Sequence, residues 1–414
     1  MSHNSCSVCT SCFFGDDLLA LEFPDKWNVT VCKMAGHDAP PLTDEEIREK
    51  LANPIGTKRL SELAKNRKEA VILVDDITRP TKAHNLLPFV LEELYKGGIS
   101  DDHIRVVIGT GTHGPLSLDH IVRKVGREIV EKIPVYNHNP WENTVFIGRT
   151  TRGTPVSINR EVMECDLKIA VSSIEGHPMA GFTGGAKMII PGVSSVDTIY
   201  ANHRLMALGT SGTGKVNNNA LRLDMEEAAR MAGLDFIVNV VVNGTCDSID
   251  IFCGDVVAAL REGAKRARAV YSTKIEKDGD IVVSNAYPNE EEAFGAIRIA
   301  NQSVKEGGEI VILDYCPPGM VLHYLYGRWG SKYGGRLFRW PPRVRSNKAR
   351  RIIVVNPYPN KADEWRFGPS EQVVVVKSWN EALDKLKSVH GESAKVVVFP
   401  CAMIQDSEEE LHRK

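Results

Sequence analysis

The chain has 414 residues, of which 43% are hydrophobic and 25% are charged, and this composition is typical of a folded protein with two or three domains. A fibrous or intrinsically disordered protein is excluded. The formal net charge of -2 argues against nucleic acid as a partner. A membrane is not expected either, because no apolar run reaches the roughly 18 to 20 residues that span a bilayer.

The amino-terminal segment has no basic stretch followed by an apolar one, so we expect a cytoplasmic protein whose nine cysteines are reduced. Three of them, Cys6, Cys9 and Cys12, have the spacing of iron-sulfur or zinc ligands. A fourth ligand is missing nearby, apart from His3. Metal binding and a frayed terminus with spare thiols both remain open.

The first helix signal is a capping box, in which Thr43 and Glu46 satisfy the first amide groups of a helix. The next element is an apolar strand over 69–74, which delivers the polar loop 75–80 to the edge of a sheet. Arg79 in that loop is placed to bind an anion, or else to pair with an aspartate of the same loop.

A helix over 84–95 and a strand over 104–108 repeat this arrangement, and the strand leads into the glycine-rich loop 109–115. His113 therefore also follows the carboxyl end of a strand. A histidine in such a loop is more typical of chemistry than of core packing, because imidazole titrates near neutral pH.

A buried strand over 167–171 leads into the loop 175–192, which contains five glycines, two prolines, His177 and Lys187. Open α/β folds bind ligands where parallel strands end, and glycine amides can hold a phosphate. A Walker-type phosphate loop is the obvious alternative, but Ala186 interrupts its Gly-Lys pair and no Ser or Thr follows the lysine.

Further helices are predicted over 194–207, 219–232 and 256–271, with a strand over 236–242. His203 lies on the first of these helices. A single helical histidine is usually structural, so His203 by itself says little about function.

A polar turn after the long helix predicts a domain boundary, with a larger domain over 1–272 and a smaller α/β domain over 273–414. An insertion or lid, rich in glycine, arginine and aromatic residues, is predicted near 317–350. The smaller domain has strands over 281–283, 309–313, 352–355, 372–376 and 395–399, and helices over 290–305 and 379–388.

Taken together, these motifs resemble those of the nickel-pincer lactate racemase family. The matching segments are 75–80, 109–115 and 175–192, followed by His203 sixteen residues after Lys187. The resemblance implies a cofactor built from a pyridinium mononucleotide, with two sulfur-containing arms that bind nickel and a thioamide link to a lysine. It also implies cofactor-synthesis enzymes as partners and a small-molecule 2-hydroxy acid as substrate.

The same resemblance assigns the reacting groups. His113 and His177 would be the paired acid and base, Lys187 the site of covalent attachment, and His203 the protein ligand to nickel. Soft sulfur and carbon ligands with one imidazole suit square-planar nickel. Two histidines are needed because racemisation removes and returns the hydroxyl proton on either side of a planar keto intermediate.

The remaining roles concern binding. By the resemblance, Arg79 would hold the substrate carboxylate, while Asp76, Thr78, Gly184 and Gly185 would line the nucleotide.

The chain departs from the family pattern in the smaller domain. Lactate racemases have Tyr-Gln followed three residues later by Lys, whereas this sequence has Phe294, Gly295 and then Arg298. Loss of the glutamine side chain should enlarge the pocket, and Arg298 keeps a cation that can bind a carboxylate in two places. A 2-hydroxy acid larger than lactate is therefore expected, although this helix can also simply pack.

We therefore expect two α/β domains with the active site in the cleft between them, and a racemase or epimerase of a 2-hydroxy acid that uses reversible hydride transfer. A metal hydrolase with His113, His177 and His203 as ligands is an alternative, although their spacing matches no short metal motif. A non-enzymatic binder of a phosphorylated small molecule would need the glycines but not the histidine pair.

Overall fold

The structure is a computed structural model that describes residues 4–15, 18–323, 344–361 and 363–411. None of the helices in this part of the chain is both long and apolar enough to cross a membrane. The predicted class of fold, with two α/β units, is confirmed.

The strands of the described residues are numbered in chain order. They are β1 (Ser5–Cys9), β2 (Leu18–Glu22), β3 (Asn28–Val31), β4 (Ala70–Asp75), β5 (Ile104–Gly109), β6 (Val135–Asn137), β7 (Thr144–Arg149), β8 (Pro155–Asn159), β9 (Leu167–Ser173), β10 (Gly176–His177), β11 (Gly181–Phe182), β12 (Phe236–Val242), β13 (Ser248–Gly254), β14 (Ser272–Thr273), β15 (Gly279–Asn285), β16 (Val304–Leu313), β17 (Arg351–Val355), β18 (Val373–Val376), β19 (Lys395–Phe399) and β20 (Asp406–Ser407).

The α-helices are numbered in the same way. They are α1 (Asp44–Ala52), α2 (Leu60–Leu63), α3 (Leu87–Lys96), α4 (Leu118–Val125), α5 (Arg127–Lys132), α6 (Arg160–Glu164), α7 (Val196–His203), α8 (Ala220–Ala232), α9 (Ala258–Tyr271), α10 (Ile297–Ser303), α11 (Trp379–His390) and α12 (Glu408–Leu411). Short 3-10 turns include Gly185–Met188 and Glu290–Ala296.

The larger unit comprises residues 38–270, together with 322–323 and 409–411. Its six-stranded sheet has the order β13-β12-β9-β4-β5-β6. Only β13 runs antiparallel to its neighbour within this sheet, and the other pairs are parallel. Every residue of β4, β9 and β12 is buried, as expected for central strands covered on both faces.

The strand order reverses at β4, because β5 lies on one side of it and β9 on the other. The loops that follow β4, β5 and β9 therefore leave the sheet at neighbouring positions along its carboxyl edge. Open α/β sheets bind ligands at such a reversal. The fold thus brings together the three loops that carry Arg79, His113 and Lys187.

The smaller unit comprises, among the described residues, 4–37, 271–321 and 344–408. Its six-stranded sheet has the order β18-β17-β16-β15-β19-β3 and is parallel throughout. Alternate residues of β15 pack into different apolar clusters, Val282 into one and Val283 into the other. Both faces of the sheet are therefore covered.

Several predicted elements are confirmed. The capping box of Thr43 and Glu46 is present at the start of α1. Asn219 caps α8, which ends at Gly233 in the left-handed conformation. The predicted bounds of β12 and β19 match the structure.

The amino-terminal segment differs from the sequence-based division, which placed residues 1–272 in one domain. Here β1 and β2 form a hairpin, and β3 pairs in parallel with β19, so that Asn28 aligns with Lys395. Residues 4–37 therefore belong to the smaller unit. Strands this far apart in the chain give no local signal of their pairing.

Two further expectations concern the amino-terminal cysteines and the insertion predicted near 317–350. Cys6 and Cys9 lie on β1, and no group of three potential metal ligands is found among the described residues. His3 lies outside those residues, as does the 324–343 part of the predicted insertion.

Candidate active site

A pocket at the carboxyl edge of the larger sheet is lined by residues from all three loops. Seven of the residues predicted from sequence line it, namely Asp76, Thr78, Arg79, His113, Gly184, Lys187 and His203. They are far apart in the chain and meet because β4, β5 and β9 are neighbours in the sheet.

His113 is bound by the carboxylate of Asp76. The His113 Nδ1 atom lies 2.6 Å from Oδ2 of Asp76, and Oδ1 accepts a hydrogen bond from the Thr78 amide at 3.0 Å. Burial alone would raise the pKa of Asp76, but its interactions with His113 hold that pKa well below its usual range. An ionised carboxylate accepts the Nδ1 proton, so the Nε2 atom of His113 is left as a proton acceptor.

The neighbouring aspartate has a structural role beneath the pocket. The Lys124 ammonium group is completely buried, lies 2.8 Å from Oδ1 of Asp75 and donates to the Arg79 carbonyl at 2.8 Å. Oδ2 of Asp75 accepts from the Thr81 hydroxyl at 2.6 Å and the Ser173 amide at 3.1 Å. Lys124 and Asp75 thus tie the loop after β4 to the end of β9.

Arg79 lines the pocket, and its guanidinium group donates to the Thr78 carbonyl at 2.7 Å. Asp75 pairs with Lys124 and Asp76 with His113, and the charge of Arg79 also helps to lower the pKa of Asp76. A positive charge beside His113 can attract an anionic ligand into this pocket.

His177 lies close to the same residues, on the short β10–β11 hairpin. Its Nδ1 atom accepts from the backbone amides of Met179 at 3.2 Å and Ala180 at 3.1 Å. Its ring is only half-buried by surface area, but the surrounding protein atoms lower its pKa well below the usual value, and the charges of Lys187 and Arg79 lower it further. The ring is therefore neutral with its proton on Nε2, so that His177 is a donor where His113 is an acceptor.

Two glycines lead into Lys187. Gly184 and Gly185 have φ angles of 74° and 59°, and a Cβ on Gly184 would lie 2.8 Å from the Ser173 carbonyl oxygen. Only glycine fits there without displacing the backbone. Gly184 lines the pocket, whereas a Cβ on Gly185 would point to the Val256 carbonyl at 3.3 Å. Gly184 is thus the residue of the pair that a bound ligand would meet.

A buried arginine holds this loop from behind. The guanidinium group of Arg222 donates to the carbonyls of Phe182 at 2.6 Å, Gly184 at 3.1 Å and Ala180 at 3.2 Å. Burial lowers the pKa of Arg222 to about 10, so the side chain remains charged at neutral pH. Sequence reasoning missed Arg222, since an arginine inside a helical pattern gives no sign of what it binds.

His203 is the last residue of α7, and its Nδ1 atom is buried without a hydrogen-bond partner of good geometry in the described part of the chain. Burial lowers the pKa of His203 to about 4, the Lys187 charge adds to this, and the nearby Ile199 carbonyl opposes it. A neutral imidazole with an unpaired ring nitrogen is the form that binds a metal ion. His203 therefore fits the role of a metal ligand beside Lys187.

Arg298 and Gly295 belong to the smaller unit. Arg298 pairs with Asp406 at 2.7 Å and donates to the Gln405 carbonyl at 2.9 Å. A Cβ on Gly295 would lie 2.8 Å from the Cε atom of Met403, so the end of this flexible side chain fills the space beside the glycine.

A third pocket histidine, His323, was also missed from sequence. Its ring contacts that of His113 edge to face, with the ring centroids 4.9 Å apart, and it lines the same pocket. His323 does not follow a strand of the predicted sheet. No pattern in its neighbourhood could therefore have assigned it to the pocket.

Residues 14–214 match the model of the lactate racemase N-terminal domain. The chain is 35% identical over 381 residues to a lactate racemase from Lactiplantibacillus plantarum, covering 87% of this chain and 90% of the relative. It is 33% identical over 317 residues to a lactate racemase from Thermoanaerobacterium thermosaccharolyticum, covering 74% of each chain.

Solved structures show the same similarity. The lactate racemase apoprotein from Thermoanaerobacterium thermosaccharolyticum superposes with a TM-score of 0.71 at 27% identity, covering 97% of this chain and 99% of that one. A protein from Thermotoga maritima superposes with a TM-score of 0.65 at 16% identity, covering 88% of this chain and 98% of that one. At this identity the match shows a similar fold only.

Proposed function

Because the chain belongs to the lactate racemase family and is an isomerase, we propose that it racemises or epimerises a 2-hydroxy acid by reversible hydride transfer to a nickel-pincer nucleotide. The observation that carries the proposal is the grouping of Arg79, His113, Lys187 and His203 around one pocket, with His177 close by.

The residues present fit such a cofactor. Lys187 would carry the covalent link, His203 would bind nickel, and Asp76, Thr78 and Gly184 would lie along the nucleotide. When bound, the cofactor would supply a carbon centre that accepts a hydride from the substrate and returns it to either face. Loading it would require cofactor-synthesis enzymes as partners.

The protein would control the substrate and its proton. Arg79 would bind the carboxylate and so fix the hydroxyl-bearing carbon in the pocket. The Nε2 atom of His113 would accept the hydroxyl proton from one stereoisomer, and the Nε2–H group of His177 would return a proton to the oxygen of the other. The different hydrogen bonds of the two rings support this division of roles.

The alternatives fit these contacts less well. A hydrolase would need His113, His177 and His203 to share one metal ion, and no group of three potential ligands is found among the described residues. A non-enzymatic binder would not need an acid and a base held in opposite tautomers.

The intact mass of protein produced together with cofactor-synthesis enzymes tests the proposal. We expect a covalent adduct and bound nickel in the original chain, and neither the adduct nor racemisation in Lys187→Ala. Lys215→Ala, which changes another lysine of the larger unit, is the control and should keep the adduct. Full racemase activity without an adduct would contradict the proposal.

We also propose that the preferred substrate is larger than lactate, because glycine stands at position 295 where lactate racemases have glutamine, and the Met403 side chain beside it is flexible enough to move. Rates of racemisation for a panel of 2-hydroxy acids at equal concentration test it. Lactate should not be the fastest substrate, and Gly295→Gln should shift the preference toward lactate. If lactate is fastest and this variant keeps the same order, the size argument is wrong.

A further inference from the structure

The helix that carries His203 is anchored at its start but leads into an exposed turn. At the start of α7, the Ser195 amide donates to the Ser157 carbonyl at 2.9 Å, and the Ser157 amide donates to the Thr198 hydroxyl at 2.9 Å. After His203, the 3-10 turn Arg204–Leu208 contains no buried residue. His203 therefore lies at the boundary between an anchored helix and a largely exposed segment.

Asn202 is a completely buried side chain immediately before this boundary. Its Nδ2 atom donates to Oδ2 of Asp224 at 2.8 Å and to the Leu221 carbonyl at 3.2 Å. Both partners belong to α8, so Asn202 joins the last turn of α7 to that helix. Because His203 is the next residue in the chain, this contact limits how far its imidazole can move.

Asp224 is a completely buried carboxylate that accepts hydrogen bonds from neutral donors on two other segments. Besides Asn202, the Thr150 hydroxyl donates to Oδ1 at 2.5 Å and the Thr154 hydroxyl to Oδ2 at 2.8 Å. Burying a carboxylate is costly unless it is hydrogen-bonded, and a carboxylate can accept on both oxygens at once. Asp224 thus holds the turn between β7 and β8 and the end of α7 against α8.

The same helix holds the loop of Lys187 through a different residue. Arg222 donates to the carbonyls of that loop, and it lies two positions before Asp224. Side chains two positions apart on a helix do not face each other. The two sets of contacts are therefore separate, one to the attachment loop and the other to the last turn of α7.

We infer that Asn202 and Asp224 are positioning residues for the metal ligand, and that they hold the last turn of α7 so that His203 keeps nickel in place. The inference rests on the proposed function and deepens it. Groups that orient a ligand from outside the coordination sphere typically contribute 10- to 100-fold to metal affinity. The contribution concerns nickel and not the covalent link, because the loop of Lys187 is held by Arg222.

Nickel release from the loaded enzyme tests the inference. In excess EDTA, Asn202→Ala and Asp224→Asn should each lose nickel about tenfold faster than the original chain. The fraction of protein that carries the adduct, measured by intact mass on the same samples, should stay unchanged. Asn202→Ala leaves Asp224 its two threonine donors, so this variant should fold even if Asp224→Asn does not.

Glu227→Gln is the matched control. Glu227 lies on the same helix and accepts from the amide and hydroxyl of Thr151 in the same turn, at 2.6 and 2.7 Å. It should release nickel at the rate of the original chain.

Equal rates of nickel release in Asn202→Ala and Glu227→Gln would overturn the inference. A loss of adduct that parallels the loss of nickel would also overturn it, because the cluster would then support the fold as a whole. The adduct and nickel content of the original chain test the proposed function separately, so the two failures can be told apart.

Discussion

The two candidate proton-transfer residues differ in what holds them. His113 gives its Nδ1 proton to an ionised aspartate, whereas the Nδ1 atom of His177 accepts two backbone amides. Imidazole can serve as acid or base, and the hydrogen bond at one nitrogen decides what the other nitrogen does. Asp76 was assigned to the nucleotide from the family resemblance, and the structure shows that its carboxylate also orients His113.

Substitution of either histidine should therefore remove turnover without removing the metal. We expect His113→Ala and His177→Ala each to lower kcat by about 10² to 10⁴-fold, the usual contribution of general acid-base groups. Asp76→Asn should also lower kcat, because an amide can hold the ring in the wrong tautomer. Bound nickel and adduct mass, measured on the same samples, should match the original chain.

His203→Ala tests the proposed metal ligand in the same way, and this variant should lose nickel. If His113→Ala or His177→Ala loses nickel instead, these histidines are ligands and the hydrolase alternative is favoured.

At the scale of single elements, α8 determines the shape of the loop that carries Lys187. Arg222 on this helix donates to the carbonyls of Ala180, Phe182 and Gly184, and the Gly184 carbonyl also accepts from the Lys187 amide at 3.3 Å. The positive φ angles of the two glycines and this arginine together fix the backbone just before Lys187. The position of the attachment residue thus depends on a helix that is distant in the chain.

Arg222→Met should therefore impair cofactor attachment as well as stability. Three buried carbonyls would each lose a hydrogen-bond donor, and a carbonyl that is left unpaired costs about 1 to 3 kcal/mol. We expect a lower midpoint of thermal unfolding and a smaller fraction of adduct by intact mass, even at a temperature at which the variant is folded.

Arg230→Met on the same helix is the control, because Arg230 is exposed. If the Arg222→Met protein is less stable but carries the full amount of cofactor adduct, the arginine stabilises the fold and does not position the attachment loop.

At the level of the whole molecule, some buried charged groups are paired with an opposite charge and others are not. In the larger unit the buried Lys124 and Asp75 form an ion pair. In the smaller unit, burial raises the pKa of Glu290 to about 7, and burial together with the nearby Asp363 raises that of Asp314 to about 8. These carboxyl groups are therefore largely protonated in the folded protein under conditions that ionise them in the unfolded chain.

This difference makes stability depend on pH. Below about pH 4 both states carry the protons, but between that point and the raised pKa values the unfolded chain binds fewer protons than the folded one. The contribution of these two carboxyl groups to the free energy of unfolding should therefore fall as the pH rises from 5 to 8, whereas the lowered pKa values of His177 and His203 act in the opposite direction below about pH 7. Thermal unfolding followed across this range by circular dichroism measures the effect.

Asp314→Asn removes one of the titrating groups. This variant should make the free energy of unfolding depend less on pH. Its unfolding midpoint at pH 8 should rise by about 2 to 4 °C for each kcal/mol by which the free energy of unfolding increases. Asp384→Asn, at an exposed position of α11, should leave the profile unchanged. If the midpoint of Asp314→Asn depends on pH in the same way as that of the original chain, the role assigned to this carboxyl group is wrong.

Much of the local structure was predictable from the order of the amino acids. Apolar runs followed by glycine-rich or polar loops located β4, β5 and β9, and the residues just after them include Arg79, His113 and Lys187. The helix N-caps at Thr43 and Asn219 were also predictable from sequence. Such features are predictable because burial, capping and turn formation depend on residues a few positions apart.

Only the tertiary structure decided which distant groups meet. The order of strands places Asp76 against His113, β3 beside β19, and Arg222 behind the loop of Lys187. It also brings His323 into the pocket and pairs Arg298 with Asp406. Contacts of this kind depend on how whole elements pack, and a periodic pattern of apolar residues specifies that a face is buried without specifying what covers it.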